Sequence, residues 1–370
     1  MLNFKKKSFK RFDLVIFITV LALSIYGLII IKSATLNRNP TRYLKQQGIS
    51  IIIGIIIIFL LTMMDYRILG KLYMPIYIVS NIMLIIVLLI GVGGAGAEEF
   101  GARWIEIGGF RFQPSEFVKI GIIISLAKFI DKNKSRINQP FTLLKILAFA
   151  GLPILLIAAQ PDAGTALVFV FFTAMMLFVA GIEWKYIGYA LGAGLISLPV
   201  IWMNLKSHQK NRIFDFLNPE RDPTGTGYQA IEAKIAIGSG KIFGRGLYQG
   251  VQTQYNFLPE KHTDFIFAVL MEELGFIGGM GLIILYIILL IRFIRVAQNS
   301  KDLFGSLVVV GITSMFIFHI FQNIGMTIGL MPITGIPLPF LSYGGTFMLV
   351  NMISVGLILS IGIHREGLNF

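Results

Sequence analysis

The sequence predicts an all-α polytopic membrane protein: about ten transmembrane helices, both termini cytoplasmic and one large extracytoplasmic loop. Three observations carry that expectation. Hydrophobic residues fill 55% of the 370 positions, and the mean hydropathy is +0.78. Charged residues make up only 14%, where a soluble globular domain runs nearer about 25%. Apolar runs of about 20 residues, the span of a bilayer core, recur along the whole length. Soluble α/β enzymes and disordered chains are excluded on these grounds alone.

The elements follow in order. A basic start (Lys5, Lys6, Lys7, Lys10, Arg11) precedes an apolar stretch. That stretch is longer than a secretory h-region of about 7–15 residues and lacks a small-residue cleavage site, so it is expected to be an uncleaved first span. Spans are expected at roughly 13–34, 45–64, 72–93, 114–131, 142–160, 163–182, 184–203, 264–292, 304–330 and 340–363. Arg67, Lys71, Lys132, Lys134, Arg136, Lys185, Arg292, Arg295, Lys301 and Arg365 then fall on the side of the N-terminus. The opposite short loops hold mainly Arg38, Arg42, Arg103 and Arg111. By the positive-inside rule both termini are cytoplasmic.

Residues 204–263 become the large extracytoplasmic loop of a single membrane domain, 1–370. Within it Ile231 and Ile235 stand one turn apart before a glycine stop, which predicts a short helix lying on the membrane surface. The net charge of +13 sits in the loops. There it sets topology and meets anionic lipid or a phosphorylated lipid substrate, so nucleic acid is not expected as a partner. The chain has no cysteine, which removes disulfides and thiolate metal sites.

Five stretches stand out. "GVGGAG" (Gly91–Gly96) follows an apolar helix rather than a strand, so it reads as a loop hinge and not as a dinucleotide site. "GFRFQPSEFVKI" starts a helix at Pro114. Glu116 and Lys119 then share one face, either as a buried pair locking helices or as charges lining a cavity. In "AAQPDAGTALVF", Pro161 breaks an apolar run and Asp162 either caps the next helix or adds a second carboxylate. "MPITGIPLPFLSYGGTF" is a rigid, non-helical stretch that survives at membrane depth only where it lines protein or water, which suits a cavity wall.

The strongest is "FLPEKHTDFIFAVLMEELGFIGG" (Phe257–Gly279). Ionisable groups at membrane depth are costly and mark sites. Asp264, Ala268, Glu272 and Gly275 follow helical spacing and are expected to form one stripe running inward. Asp264 can cap the helix, but a cap does not need the preceding Glu260, Lys261 and His262. Lys261 and His262 can hold a phosphate or bias the ionisation of Asp264. Gly275 and Gly279 permit close helix packing or a movable wall for lipid access. No H-E-x-x-H, G-x-S-x-G or P-loop is present, and no dedicated metal site is expected.

These stretches, with "FLNPERDPTGTGYQ" and "KIAIGSGKIFGRG", resemble the shape, elongation, division and sporulation (SEDS) family of peptidoglycan glycosyltransferases. The resemblance covers nearly the whole chain, and the long loop is nearer the elongation branch than the division branch. It implies a multi-pass protein of the bacterial inner membrane that polymerises lipid II into β-1,4 glycan during elongation and shape maintenance. It implies Asp264 as the essential carboxylate, with Glu116, Lys119 and Asp162 supporting it. In that setting Asp264 would be the general base, and Lys261, Arg212, Arg221 and Arg245 would be candidates for the pyrophosphate. No cofactor is required, though a divalent cation (magnesium or manganese) can assist. Implied partners are lipid II and its growing lipid-linked glycan, a class B penicillin-binding protein as transpeptidase, and other elongation-complex membrane proteins. A lipid II flippase, a division or sporulation paralogue and a transpeptidase-recruiting scaffold are the alternative readings.

Overall fold

The computed structural model describes residues 11–91, 103–107, 110–205 and 207–364. The basic residues Lys5, Lys6, Lys7 and Lys10, the loop beyond Gly91 and Arg365 lie outside them.

Helix starts are fixed by residues that satisfy the first free amides. The Asp13 carboxylate accepts from Val15 and Ile16 N–H and opens α1 (Leu14–Ala34). Asn39 accepts from Arg42 N–H and, with Pro40 at the first turn, opens α2 (Pro40–Met63). The short α3 (Arg67–Lys71) leads into α4 (Tyr73–Ile90). A two-stranded antiparallel ladder follows, β1 (Ile105–Ile107) against β2 (Phe110–Phe112), with Glu106 opposite Arg111. Proline in the first turn then opens α5 (Pro114–Asn133) and α6 (Pro140–Ala159). Asp162 caps α7 (Ala163–Ala180), as its capping reading expected, accepting from Thr165 N–H and Oγ1. Next come α8 (Trp184–Asn204), α9 (Ser207–Leu217), α10 (Thr226–Gly240) and α11 (Val251–Gln254). The chain closes with α12 (Ile266–Gln298), α13 (Leu303–Thr327, capped by Asp302) and α14 (Gly345–Ile363).

A helix lies at each of the ten expected span positions. Eight of them, α1, α2, α4, α6, α7, α12, α13 and α14, are long and apolar enough to cross a membrane. The expected ten included α5 and α8, of 20 and 21 residues. On α5, Glu116, Lys119, Lys128, Asp131 and Lys132 dilute the apolar signal.

Antiparallel packing of α1 on α12 sets the long axis of the bundle. Arg292 pairs with Asp13 at 2.5 Å at one end, and Ser33 Oγ donates to Glu273 at 2.5 Å at the other. Between them the Tyr26 hydroxyl donates to Gly278 O at 3.0 Å. α14 packs along α2, and α13 lies among α5, α7 and α12. The core threads between these helices through Leu23, Ile123, Phe172, Leu282, Phe316 and Ile358. Residues facing outward, such as Ile52, Leu155 and Ile196, are as apolar as the core. That inversion of the soluble rule is what a lipid environment selects.

α12 is not continuous. Gly275 sits at φ 65°, a conformation only glycine adopts readily, and the helix breaks there. The amides freed by the break are taken up by the 241–246 loop: Phe276 N–H donates to Lys241 O (2.9 Å) and Ile277 N–H to Ile242 O (3.2 Å). In the reverse sense Arg245 and Gly246 N–H donate to Glu272 O (2.9 Å) and Glu273 O (3.0 Å). A broken helix within an apolar segment thus keeps its backbone hydrogen bonds. Gly275 permits a close backbone approach, because a Cβ there would press into Gly244 N, but the approach is by the 241–246 loop rather than by a neighbouring span.

α10 forms where a short helix was expected. Ala233, Ala236 and Gly240 are buried and α10 packs on α12, while Ile235 is 46% exposed. Small residues let the two backbones approach, since a Cβ on Gly240 would press into Met271 O.

Candidate functional site

A cavity of about 680 Å³ opens at the bundle end where α2, α5 and α14 begin. α2 contributes Arg42 and Gln46, and the segment around the ladder contributes Trp104, Glu106 and Gln113. Glu116 comes from α5, and Glu260, His262, Thr263 and Asp264 come from the loop before α12. Gly335, Pro337 and Tyr343 to Phe347 close the remaining side, so the proline-rich stretch is a cavity wall as expected.

Asp264 stands two residues ahead of α12, and its backbone is held from three directions. Asn323 of α13 donates to both Asp264 O and Ile336 O at 2.8 Å. Ser342 Oγ donates to Thr263 O at 2.6 Å, and Tyr343 N–H donates to His262 O at 2.9 Å. The His262 ring packs with Tyr43 and Tyr343, at centroid distances of 5.2 and 5.7 Å. Gly335, at φ 72°, leaves room for the carboxylate, since a Cβ there would lie 3.3 Å from Asp264 Oδ2.

Burial pushes the Asp264 carboxyl up to about 7; the Glu260 charge adds to this and Arg212 opposes it. The Arg212 guanidinium is itself lowered, by burial first and then by Arg103, with Asp162 and Asp264 pulling the other way. Burial also lowers the His262 imidazole, so the ring is less readily charged than an exposed histidine.

Glu116 and Lys119 form the buried pair that their spacing allowed, at 2.9 Å with side chains 6% and 1% exposed. The Lys119 ammonium also reaches His319 Nε2 of α13 at 3.1 Å. His319 Nδ1 faces Pro337 O at 3.3 Å. A carbonyl only accepts and an ammonium only donates, so the proton of a neutral His319 belongs on Nδ1. One Glu116 oxygen is used by Lys119, while buried Oε2 has no hydrogen-bond partner. Glu116 is therefore both a structural pair and a cavity-lining carboxylate.

Asp162 keeps its capping role and lies 3.7 Å from Arg103, without lining the cavity. Other expected residues are not brought to the cavity. Lys261 turns inward to donate to Thr253 O and Asn256 Oδ1, and burial lowers its ammonium to about 8. Glu272 accepts from Gln252 N–H, Thr253 N–H and Thr253 Oγ1 at 2.7–3.0 Å, which anchors α11. The expected stripe from Asp264 through Glu272 to Gly275 therefore does not form, because Asp264 precedes the helix and Gly275 breaks it. Arg221 lies over the Phe214 ring at 4.8 Å, and Arg245 is exposed beside the helix break. Of the arginines expected at the pyrophosphate, Arg212 alone exerts its charge on Asp264.

Sequence reasoning missed Arg42, Glu106, His319 and Asn323. His319 and Asn323 stand one turn apart in an otherwise apolar span, a signal that was open to reading. Among the described residues no three His, Asp or Glu side chains cluster as a metal cage.

Residues 13–367 match the family described as Cell cycle protein, FTSW_RODA_SPOVE. The chain belongs to this family. It is 37% identical to the peptidoglycan glycosyltransferase MrdB of Escherichia coli, covering 99% of this chain and 98% of that one. It is 38% identical to a probable peptidoglycan glycosyltransferase FtsW of Trichlorobacter lovleyi, covering 98% and 96%. Among solved structures, the rod shape determining protein RodA of Thermus thermophilus superposes with a TM-score of 0.72 at 27% identity, covering 96% and 98%. A chain from a peptidoglycan synthase complex that coordinates polymerisation and crosslinking superposes at 0.82 with 29% identity, covering 96% and 99%. The SEDS resemblance and the helical membrane fold are thereby established for this chain.

Proposed function

We propose that this protein is a peptidoglycan glycosyltransferase that polymerises lipid II into β-1,4 glycan during cell elongation. The observation that carries the mechanism is one buried carboxyl, Asp264, poised near neutrality in a cavity it shares with Glu116. The 4-hydroxyl of an acceptor sugar attacks the anomeric carbon of the donor. Asp264 takes the hydroxyl proton as the new C–O bond forms. The bond from the anomeric carbon to the diphosphate oxygen breaks, and the lipid diphosphate leaves with its electron pair. A single displacement turns an α-linked donor into a β product without a covalent enzyme intermediate.

Glu116, fixed by Lys119, offers its bare oxygen to donor groups of the sugars. Arg212 and Arg42 supply positive charge for the diphosphate. A divalent cation, magnesium or manganese, would add positive charge to offset that building on the departing diphosphate, beside the cavity carboxylates Asp264 and Glu116. The cavity faces the outer side of the inner membrane, where the 204–263 loop also lies. The likeness to a synthase-complex chain supports a class B penicillin-binding protein as partner.

Purified wild type should polymerise purified lipid II in liposomes, with or without that partner, and Asp264→Asn should not. Full-length glycan from Asp264→Asn would remove Asp264 from the base role. Transbilayer movement of lipid II without polymer from wild type would favour the flippase.

A further inference from the structure

A second concave site lies at the other end of α5 from the cavity. Lys128 and Lys132 follow Glu116 by 12 and 16 residues on the same helix, which is a rise of roughly 18 and 24 Å. There a pocket of about 430 Å³ is lined by Arg67 and Lys71 of α3, Lys128 and Lys132 of α5, and the rings of Tyr73 and Phe304. Two separate elements thus bring four cations to one hollow.

The nearby carboxylates neutralise it only in part. Asp302, which also lines the pocket, caps α13 through Gly305 N–H and, among the described residues, pairs with Arg67 at 3.6 Å. Asp131 is taken by Lys128 at 2.6 Å. Among the described residues Lys132 meets the Tyr73 hydroxyl (3.2 Å) and ring, and neither it nor Lys71 forms an ion pair with a described carboxylate. The aromatic rings orient two of the ammonium groups: Lys128 lies 5.5 Å from the Phe304 centroid and Lys132 lies 4.3 Å from that of Tyr73.

We propose that this pocket binds the phosphate headgroup of an anionic phospholipid, in the leaflet opposite the catalytic cavity. The charge calls for a phosphate, and the surroundings call for one attached to acyl chains. Leu72, between two lining residues, is 48% exposed, and α4 continues outward with exposed Met74, Ile78 and Ile82. An amphiphile can seat its phosphate among the cations while its chains lie along α4. Basic pockets between membrane helices recognise lipid headgroups in this way. The bound lipid would tie α3 and α4 to α5 and to the start of α13, the two helices that carry Glu116, Lys119, His319 and Asn323 at their far ends.

Native mass spectrometry of the protein in neutral detergent, titrated with dioleoylphosphatidylglycerol or dioleoylphosphatidylcholine, tests this. One tight equivalent of the anionic lipid is expected, with the neutral lipid at least about tenfold weaker. Lys71→Gln/Lys132→Gln should weaken the anionic lipid roughly thirtyfold, since two lysine–phosphate attractions are lost. Lys145→Gln/Lys185→Gln, at other exposed basic positions, should leave it unchanged. The melting temperature of each variant without lipid checks that the fold is intact. Unchanged affinity in the Lys71/Lys132 variant, or equal loss in the control variant, overturns the proposal. Competition by glycerol phosphate at equal concentration would show a site for free phosphate and would overturn the lipid assignment.

Discussion

Asp264 holds its proton more firmly than an exposed aspartate because burial disfavours the carboxylate and Glu260 repels it. Two predictions follow from that one group. Polymerisation should rise with pH along an acidic limb centred near 7, because only the ionised carboxylate can accept the hydroxyl proton; Asp264→Asn should lose about 10²–10⁴-fold in rate and the limb with it. Stability should move the opposite way. The folded carboxyl binds its proton at a pH where the unfolded one, at 3.8, has lost it. Its contribution is therefore complete below that value and is lost as pH rises through about 7. Asp264→Asn should thus gain thermal stability relative to wild type between pH 6 and 8, and an equal loss across that range would contradict the burial argument. For the neighbouring pair, Glu116→Ala leaves Lys119 charged and enclosed, and should cost roughly 3–5 kcal/mol in thermal or chemical unfolding. The double change Glu116→Gln/Lys119→Met should cost clearly less while still impairing turnover.

At the scale of elements, the break in α12 is the feature with the most consequences. Gly275→Ala should destabilise by about 1–3 kcal/mol from backbone conformation alone, with a further cost from the crowded Gly244 backbone. Melting of the solubilised variant reads this directly. Because the junction is hydrogen-bonded both ways, locking it should be harmless. A disulfide in Ile242→Cys/Ile277→Cys, the sole cysteines in a chain with none, should leave polymerisation within about twofold of wild type, a small change on the free-energy scale of catalysis. Lost activity on oxidation, restored by reductant, would bring back a movable wall. The elements differ in how legible they were. Helix positions followed from apolar length, and caps at Asp13, Asn39, Asp162 and Asp302 were signalled by residue type. The ladder before α5 was overlooked although "IEIGGFRF" alternates around two glycines, a hairpin signature. The length of the membrane spans drew attention away from it.

For the whole molecule, the cavity joins α2, the ladder, α5, the loop before α12 and the segment after α13, from Arg42 to Phe347 along the chain. Its polar lining survives at this depth because the surrounding backbone is hydrogen-bonded to protein: Asn323 to Asp264 and Ile336, and Gln47 to Ser342 and Gly344. Removing Asn323, as Asn323→Leu, should release two carbonyls at once. The expected result is a loss of about 2–3 kcal/mol in thermal stability, the scale of two buried carbonyls left unsatisfied, with reduced polymerisation at normal membrane insertion.

By itself the sequence determined the solvent and the broad architecture. Apolar runs long enough to span a bilayer leave the chain no stable arrangement in water, and the few ionisable residues within them point to where function resides. It also pointed to the Glu116–Lys119 pair and singled out Asp264 as a candidate, because short-range spacing and a costly charge are local properties. Only the tertiary structure decided which charges meet. Asp264 and Glu272 belong to one short stretch, yet one faces the cavity and the other anchors α11. Their separation depends on a glycine break stabilised by the 241–246 loop. Likewise, His319 joins Lys119 across 200 positions only because α5 and α13 pack side by side. Helical periodicity describes a face along one helix; which neighbour that face meets is set by packing among distant segments.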